Sequence, residues 1–493
     1  MNRKALHPFL FKQVSIHSLV VFRVVFGFTM LWEVYRYFKN DWIREYYIDP
    51  LYNFTYGWFS WVQPWPGDGM YYHFAALGLL SLCIALGLLY RISTVLFFLG
   101  FSYVFLLEQA RYLNHFYLVV LISFLLIFLP AHRYWSLDGF LFANRDKHVP
   151  AWCVLLLRLQ LGIVYFYGGV AKLNADWLQG QPMGMWLAER TEFPFVGHLF
   201  TEKWMVYFFS YGGLFLDLLA FPLLMIRKTR LPMFLALVLF HFTNDRLFVI
   251  GIFPWFAIAA TTIFFAYDWP LRVLRYAKEH LWTVGGASIG GAAIALLFHG
   301  GLSLFPLVVG AVTGALVVTS LKDNMEERDL ASITAPWKVK HHLVVYSLAC
   351  WFMIQVLLPL RHFAVPGDVN WTEEGHRFSW HMKLRDKSGK VMFYAIDPGT
   401  GDKIKLDPKY YLTAWQYRKM ATRPYLIQQF ASYLQGILFE LKGTWYAVTS
   451  ETQTSLNGRT HQPLVDPGVD LTKKEYYWWK HNDWIMPLAH RQK

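Results

Sequence analysis

Long apolar runs constrain the fold of this chain more than any other feature of its sequence. A helix rises about 1.5 Å per residue, so about 20 apolar residues cross the roughly 30 Å hydrocarbon layer of a membrane. Since 55% of the residues are hydrophobic, the chain has more apolar surface than a water-soluble protein can bury. The sequence predicts a mainly α fold, a polytopic transmembrane bundle of about 9–11 helices. The apolar runs lie near 14–37, 72–92, 94–107, 115–130, 150–171, 205–226, 231–243, 247–266, 283–300, 302–321 and 340–360.

Two apolar regions have unusual sequences. The stretch 231–266 reads as one long span interrupted at Thr243-Asn244-Asp245-Arg246, and a helix broken at membrane depth usually faces a cavity. The stretch 283–321 contains closely spaced glycines and few polar side chains, and small residues let helices pack closely. We therefore predict a cavity beside the first region and an extra apolar hairpin without a chemical role at 283–321.

The positive charges indicate how the chain is oriented in the membrane. The net charge is +13, but the basic residues lie in alternate loops rather than in one patch, which argues against nucleic acid as a partner. The pattern predicts an integral, multi-pass protein with a cytoplasmic N-terminus and a C-terminal domain on the outer (periplasmic or lumenal) side. The predicted cytoplasmic segments are 1–13, 90–91, 131–149, 227–230, 267–282 and 322–339.

The sequence changes character after Leu360, where charged residues and turn signals replace the apolar runs. We divide the chain into a transmembrane helical domain, residues 1–361, and an outer α+β domain, residues 362–493. The alternation of apolar and polar residues predicts three strands and one helix in the outer domain, with the first two strands joined as a hairpin. The strands are predicted at 378–384, 390–396 and 444–448, and the helix at 414–438.

Ionisable groups inside spans are costly, so each needs a partner or a function. Arg158 and Asp217 lie at similar predicted depths, which suits a structural ion pair as well as a functional role. Lys172 follows the aromatic and glycine-rich stretch 165–171 at the outer end of a span. An amine in such a setting loses hydration, which favours the neutral form that acts as a general base, whereas most lysines at this depth snorkel to the interface.

Other polar residues are predicted on the same outer side, and their convergence strengthens Lys172 as a candidate base. The three histidines among them come from separate elements without the spacing of a metal site, so no metal is expected. The three cysteines fall within predicted spans, so no disulfide is expected either. The converging residues are Asn114, His115, His241, Asn244, His362 and the 366–380 loop.

These residues resemble the vitamin K-dependent γ-glutamyl carboxylase family. The resemblance runs in order through nearly the whole chain, and GGVAKLNADW at 168–177 is among the motifs that carry it. The chain is identified as a shorter, bacterial-type member of that family. The other matching segments are 88–93, 103–107, 114–115, 134–139, 148–150, 212–218, 241–248, 358–363, 370–372, 378–380 and 465–470.

The resemblance implies an enzyme of the carbon–carbon lyase class. Such an enzyme oxidises reduced vitamin K, a hydroquinone, with O2 to the epoxide, and the base formed removes a γ-proton from peptidyl glutamate so that CO2 can add. A glutamate γ C–H is too weak an acid for any side-chain base, so a stronger base has to be generated in a dry site. The implied partners are membrane lipid, a quinone and a glutamate-containing peptide or protein, with neither a metal nor biotin.

The resemblance also implies roles for individual residues. Lys172 corresponds to the base lysine that deprotonates the hydroquinone, and the other catalytic candidates are Asn114, His115 and His241. The implied quinone-binding residues are Asn114, His115, Tyr167 and Asn244. The implied residues for binding the glutamate substrate are His362, Trp371, His376, Ser379 and Trp380.

One segment departs from the family pattern. Residues 373–377 read Glu-Glu-Gly-His-Arg where the carboxylases have Asn-Gly-Leu-Tyr-Gly. Two alternatives therefore stay open: a vitamin K epoxidase that does not carboxylate protein, and a non-catalytic quinone- or lipid-binding protein that keeps only the fold. Epoxide formation would exclude the binding protein, and incorporation of CO2 into a glutamate peptide would separate the two enzymes.

Overall fold

The computed structural model describes residues 9–143, 145–193, 196–248, 250–323 and 339–489. Eight helices in this part of the chain are long and apolar enough to cross a membrane, and α4 and α8 are shorter apolar helices, so the protein is a multi-pass membrane protein. The main helices of the membrane part are α1 (His17–Lys39), α2 (Gly69–Leu86), α3 (Tyr90–Leu107), α4 (Asn114–Phe128), α5 (Trp152–Val170), α6 (Lys203–Met225), α7 (Arg227–Phe248), α8 (Phe253–Thr261), α9 (Trp269–Glu279), α10 (Leu281–His299), α11 (Leu304–Lys322) and α12 (Val339–Leu360).

The predicted break at Thr243-Asn244-Asp245-Arg246 is wrong, because α7 continues through these residues to Phe248. Asp245 does not disrupt the helix, since it is buried and lies 3.0 Å from the Nδ1 atom of His299 on α10. The interruption comes later, at Gly251, whose positive φ of 78° suits glycine. The cavity predicted beside this region is present all the same.

The helices α10 and α11 form a close-packed hairpin. Gly291 and Gly310 face each other so tightly that a Cβ atom on Gly291 would clash with the carbonyl oxygen of Gly310. Small residues permit this approach, which supplies van der Waals contact where lipid provides no hydrophobic driving force. Most of α10 is exposed on the outside of the bundle, as expected for a peripheral element.

Three buried arginines of the membrane part, Arg23, Arg158 and Arg230, donate hydrogen bonds to backbone carbonyls. Arg23 donates to the carbonyls of Ala131, Ala85 and Trp135. Such pairing offsets the cost of holding a guanidinium away from water. Two short antiparallel strands, β1 (Gln13–Ser15) and β2 (His148–Pro150), close the same end of the bundle.

The C-terminal part is a three-stranded antiparallel sheet packed against two helices, and the strand Lys387–Ile396 lies in the middle, between Lys403–Leu406 and Ala447–Leu456. The predicted strand at 378–384 is wrong: that segment is irregular, with positive φ at Phe378, Trp380 and Lys383, and it covers the cavity instead of joining the sheet. The single helix predicted at 414–438 is two helices, because Pro424 begins the second. The elements are β3 (Lys387–Ile396), β4 (Lys403–Leu406), α13 (Ala414–Met420), α14 (Pro424–Lys442) and β5 (Ala447–Leu456).

Charged and polar contacts fix the C-terminal part onto one end of the bundle. Asp176, just beyond α5, accepts two hydrogen bonds from Arg459 at 2.6 and 2.7 Å and one from Asn457 at 2.7 Å. Glu108, just beyond α3, accepts from Gln416 of α13 at 2.9 Å. These bidentate and buried contacts hold the domain at the end of the bundle where α5 finishes and α6 begins.

A labelling experiment tests which side of the membrane carries this end. We predict that a Thr400→Cys thiol, in the exposed turn between β3 and β4, reacts with an impermeant maleimide only from the outer side, because the basic loops lie at the opposite end of the bundle. Labelling is measured in intact and in permeabilised cells, with Cys350, which is exposed, replaced by alanine. Lys228→Cys, in the first turn of α7, is the opposite-side control. Reaction of Thr400→Cys from the cytoplasm alone would reverse the predicted orientation.

Candidate active site

A cavity of about 740 Å³ lies where the bundle meets the C-terminal domain. Helices α4 to α8 form its membrane walls, and the irregular segment 373–385 of the C-terminal domain forms the wall opposite. The membrane walls are mainly aromatic and aliphatic, whereas the opposite wall is rich in charged side chains. The cavity therefore joins an apolar half, at membrane depth, to a polar half next to the aqueous domain.

Lys172 and Asp217 form a buried ion pair in the apolar half. The Nζ atom of Lys172 lies 2.5 Å from Oδ2 of Asp217 and donates to the carbonyl of Gly168 at 3.1 Å. The two side chains are only 6% and 5% exposed. The suggested ion pair between Asp217 and Arg158 is wrong, because Arg158 donates to the carbonyls of Ile263 and Phe265 instead. Lys172 is thus a buried cavity residue and not a snorkelling one.

Two glycines allow α5 and α6 to approach closely enough for this pair to form. A Cβ atom on Gly169 would lie 2.8 Å from the backbone nitrogen of Leu218, and one on Gly168 would lie 3.2 Å from Oδ2 of Asp217. Lys172 follows directly in the turn after α5, so its side chain reaches back along the helix end. The glycine pair in the sequence is therefore what brings the amine to the carboxylate.

Further polar groups stand in the apolar half without forming ion pairs. His241 of α7 lies 2.9 Å from the hydroxyl of Tyr165 through its Nε2 atom. The His115 ring stacks on Phe253, with ring centroids 5.9 Å apart. Asn114 donates to the carbonyl of His381 at 2.8 Å and accepts from the Tyr112 hydroxyl at 2.9 Å. These contacts hold an amide and two imidazoles in the same chamber as Lys172.

The polar half carries more positive than negative charge. Glu373 is the one carboxylate among the described residues lining this half, and it is already paired with Arg385 at 2.9 Å and with Lys387 at 3.2 Å. The Arg423 guanidinium, together with burial, lowers the pKa of Lys419 to about 7. A region so rich in cations favours a bound anion. The cations of this wall are Arg377, Lys383, Arg385, Lys419 and Arg423.

Several buried polar atoms in the same wall have no hydrogen-bond partner within the described chain. These unpartnered atoms are both ring nitrogens of His381, Nδ1 of His376, and Nη1 of Arg377 and of Arg385. Burial, with the neighbouring Arg385 guanidinium and the adjoining imidazole, lowers the pKa of His376 well below its ordinary value. Buried polar atoms are normally paired, so these orphans indicate that a polar ligand or water completes the wall.

Two family profiles match the chain. The HTTM domain profile covers residues 11–269, over half of the chain, and the vitamin K-dependent gamma-carboxylase lumenal domain profile covers residues 340–491. The protein belongs to the vitamin K-dependent gamma-carboxylase family. Family membership indicates a vitamin K-dependent gamma-carboxylase type of function, and the lumenal-domain match covers the segment that forms the polar wall. No solved structure matches the chain.

The site residues predicted from the carboxylase resemblance fall into two groups. One group lines the cavity: Asn114, His115, Lys172, His241, Asn244 and His376. The other group lies behind the walls. Tyr167 points away and donates to the carbonyl of Val356 at 2.6 Å, and Trp371 is fully buried in the C-terminal core. His362, Ser379 and Trp380 support the wall from behind, through contacts with His381, with the Gly375 carbonyl and with Tyr117 respectively.

Sequence reasoning missed much of the polar wall of the cavity. Arg385, Lys419 and Arg423 line the cavity but lie outside the matched motifs. Their spacing along the sequence does not form a recognisable binding motif. His381 occurs one residue after the matching 378–380 segment, yet a lone histidine there gave no chemical signal. An excess of basic over acidic residues between 377 and 423 is the one signal that was available.

A stability measurement tests the buried pair. We predict that Asp217→Asn lowers the free energy of unfolding by about 3 kcal/mol, since removing one partner leaves the other uncompensated in an apolar wall. The double variant Lys172→Met/Asp217→Leu should recover most of this loss. Unfolding is followed in detergent micelles by circular dichroism. Asp49→Asn, in the exposed pair with Arg44, is the control and should leave the melting temperature unchanged. Equal effects of Asp217→Asn and Asp49→Asn would contradict the prediction.

Proposed function

We propose that this protein oxidises reduced vitamin K to its epoxide with O2 and uses the base formed to carboxylate glutamate in a peptide or protein. The observation that carries the proposal is the Lys172–Asp217 pair, which faces a cavity whose opposite wall is cationic. An amine base in an apolar chamber beside an anion-binding wall suits a reaction that joins an apolar hydroquinone to a carboxylate substrate. The proposed active site lies on the outer side of the membrane.

The residues of the apolar half fit a naphthoquinone ring. Aromatic side chains from four elements line it, including Trp177, Phe209, Phe240 and Phe253. Flat aromatic rings are good partners for a fused-ring ligand, and the imidazole and amide groups supply hydrogen bonds for its two oxygens. When bound, reduced vitamin K supplies on oxidation a base strong enough to remove a γ-proton of glutamate.

Lys172 is the group that takes the first proton. In this proposal the Asp217 carboxylate accepts a proton from the Lys172 ammonium that it contacts, which leaves a neutral amine facing the cavity. That amine can then accept a hydroxyl proton from a ligand in the cavity. Asp217 is the positioning residue, because its oxygen fixes Nζ at 2.5 Å and provides a place for the proton.

His115, His241 and Asn114 are proposed to orient the ligand oxygens. The Tyr165 hydroxyl holds the ring of His241, and Phe253 backs the ring of His115. Asn114 is held from two sides, by Tyr112 and by the backbone of residue 381, so its amide is preorganised. Asn244 completes this chamber from α7.

The cationic wall is proposed to hold the carboxylate of the glutamate substrate. The Nη1 atom of Arg377 has no hydrogen-bond partner in the described chain. The Arg377 guanidinium stacks on Tyr425, 4.0 Å from the ring centroid, and this contact holds it in place. Arg423 and Arg385 face the same space. Guanidinium groups bind carboxylates in a bidentate geometry, which would direct the substrate's γ-carbon toward the apolar half. Apolar walls around the reacting atoms keep water from quenching a carbanion.

Replacement of Lys172 tests the initiating step. We predict that Lys172→Ala abolishes epoxidation and carboxylation together, because both depend on the first deprotonation, and that Lys172→Arg is no better, since guanidinium stays protonated. Epoxide is measured by chromatography and carboxylation by incorporation of labelled CO2 into a glutamate peptide. A small exogenous amine should partly restore epoxidation in Lys172→Ala.

The matched control is Lys383→Ala, a cation of the opposite wall, which should leave epoxidation largely intact. Near-normal epoxidation by Lys172→Ala, in protein that remains monodisperse and membrane-inserted, would move the base to His115 or His241, which also line the cavity.

The altered segment 373–377 leads to a second prediction. We expect fewer carboxylations per epoxide formed than in a family member with the Asn-Gly-Leu-Tyr-Gly segment, because His376 replaces a tyrosine at the wall and the γ-carbon is positioned less accurately. His376→Tyr, which restores the family residue, should raise this ratio without changing epoxidation. The neighbouring Gly375 is not a useful target, as a Cβ atom there would lie 2.7 Å from Cβ of His362. Equal coupling in both proteins on a short glutamate peptide would contradict this expectation.

A further inference from the structure

The cavity is open sideways between two helices of the bundle. Four of its wall residues are also exposed on the outside of the protein: Phe208 and Gly212 on α6, and Ala236 and Leu239 on α7. Phe208 and Leu239 expose 64% and 59% of their surface. A residue that both lines a cavity and faces outward marks an opening rather than a closed wall.

The depth of this opening places it against lipid. Trp204 and Tyr207, both exposed, lie in the first turns of α6, and exposed tryptophan and tyrosine mark the membrane interface. Gly212 lies about 12 Å further along the helix, at 1.5 Å per residue, and so within the hydrocarbon region. Leu239 is at a similar depth, since it and Gly212 are almost equally far from the turn that joins α6 to α7.

The opening is lined by apolar residues and has free space beside Gly212. A Cβ atom added to Gly212 would meet no heavy atom within 4 Å. The path from there inward passes Leu216 and reaches the Lys172–Asp217 pair, because both Gly213 and Asp217 follow Gly212 on the same cavity wall. An extended apolar chain in this path would contact the aromatic walls on one side and acyl chains on the other.

We propose that the gap between α6 and α7 is a lateral portal through which a quinone with a long apolar tail enters the cavity from the bilayer, its tail remaining in the gap. This inference rests on the proposed function, which supplies the ring in the apolar half. It adds the route by which the head of the lipid-borne quinone reaches Lys172 and the place where its tail lies.

Filling the gap tests the portal. Gly212→Phe and, independently, Ala236→Phe place a ring in the opening from opposite sides. We expect each to weaken binding of a long-chain polyprenyl naphthoquinone by about tenfold or more, while binding of the tail-less ring, 2-methyl-1,4-naphthoquinone, changes little. Binding is measured by displacement of radiolabelled quinone from purified protein in lipid nanodiscs, so that no turnover is needed.

The control is Leu235→Phe, which adds a ring at an exposed position next to Ala236 that does not line the cavity. It should bind both quinones like the unaltered protein. The portal would be overturned if Gly212→Phe and Ala236→Phe both bound the long-chain quinone normally. It would also be overturned if the affinity for the two quinones fell equally. Failure of the unaltered protein to bind either quinone would overturn the proposed function and the portal together, and so is distinguishable from failure of the portal alone.

Discussion

The fold depends on keeping one ion pair out of water and inside a membrane. A lone ammonium or carboxylate at this depth would cost several kcal/mol, so Lys172 and Asp217 are tolerable only in contact with each other. That contact requires α5 and α6 to touch over the Gly168-Gly169 pair, and the touching helices leave a chamber rather than a solid core beside them. Packing and chemistry are thus set by the same two glycines.

The side chains of the other cavity walls depend on whether a membrane helix or the aqueous domain forms the wall. Helices in lipid offer aromatic and aliphatic side chains, and they accommodate polar groups only one or two at a time, as with His241 on Tyr165. A dense set of cations has to come from the aqueous domain, where water and Glu373 offset their repulsion. The chamber is accordingly divided into an apolar and a cationic half along the boundary between the domains.

Sequence reasoning was most successful where a local pattern determines structure. Apolar runs identified the spans because length and hydropathy are sufficient, and the motif at 168–177 drew attention to Lys172, which lines the cavity. It failed where partners are distant along the chain. Nothing local at Asp217 points to Lys172 rather than Arg158, and a polar cluster such as Thr243–Arg246 reads as a break until His299 is seen beside Asp245. The alternating residues at 378–384 predict a strand, but the backbone there is irregular, with positive φ at Phe378, Trp380 and Lys383.

The segment 373–385 belongs by chain connectivity to the aqueous domain, yet Asn114 at the start of α4 donates to its backbone at residue 381. A molecule that orders one side of this bond therefore also orders the other. Thermodynamic linkage then requires that occupancy of the lipid-facing half and of the cationic half influence each other equally, whichever is filled first. Under the proposed function, a bound peptide would then change the affinity of the quinone site as well as serve as a substrate.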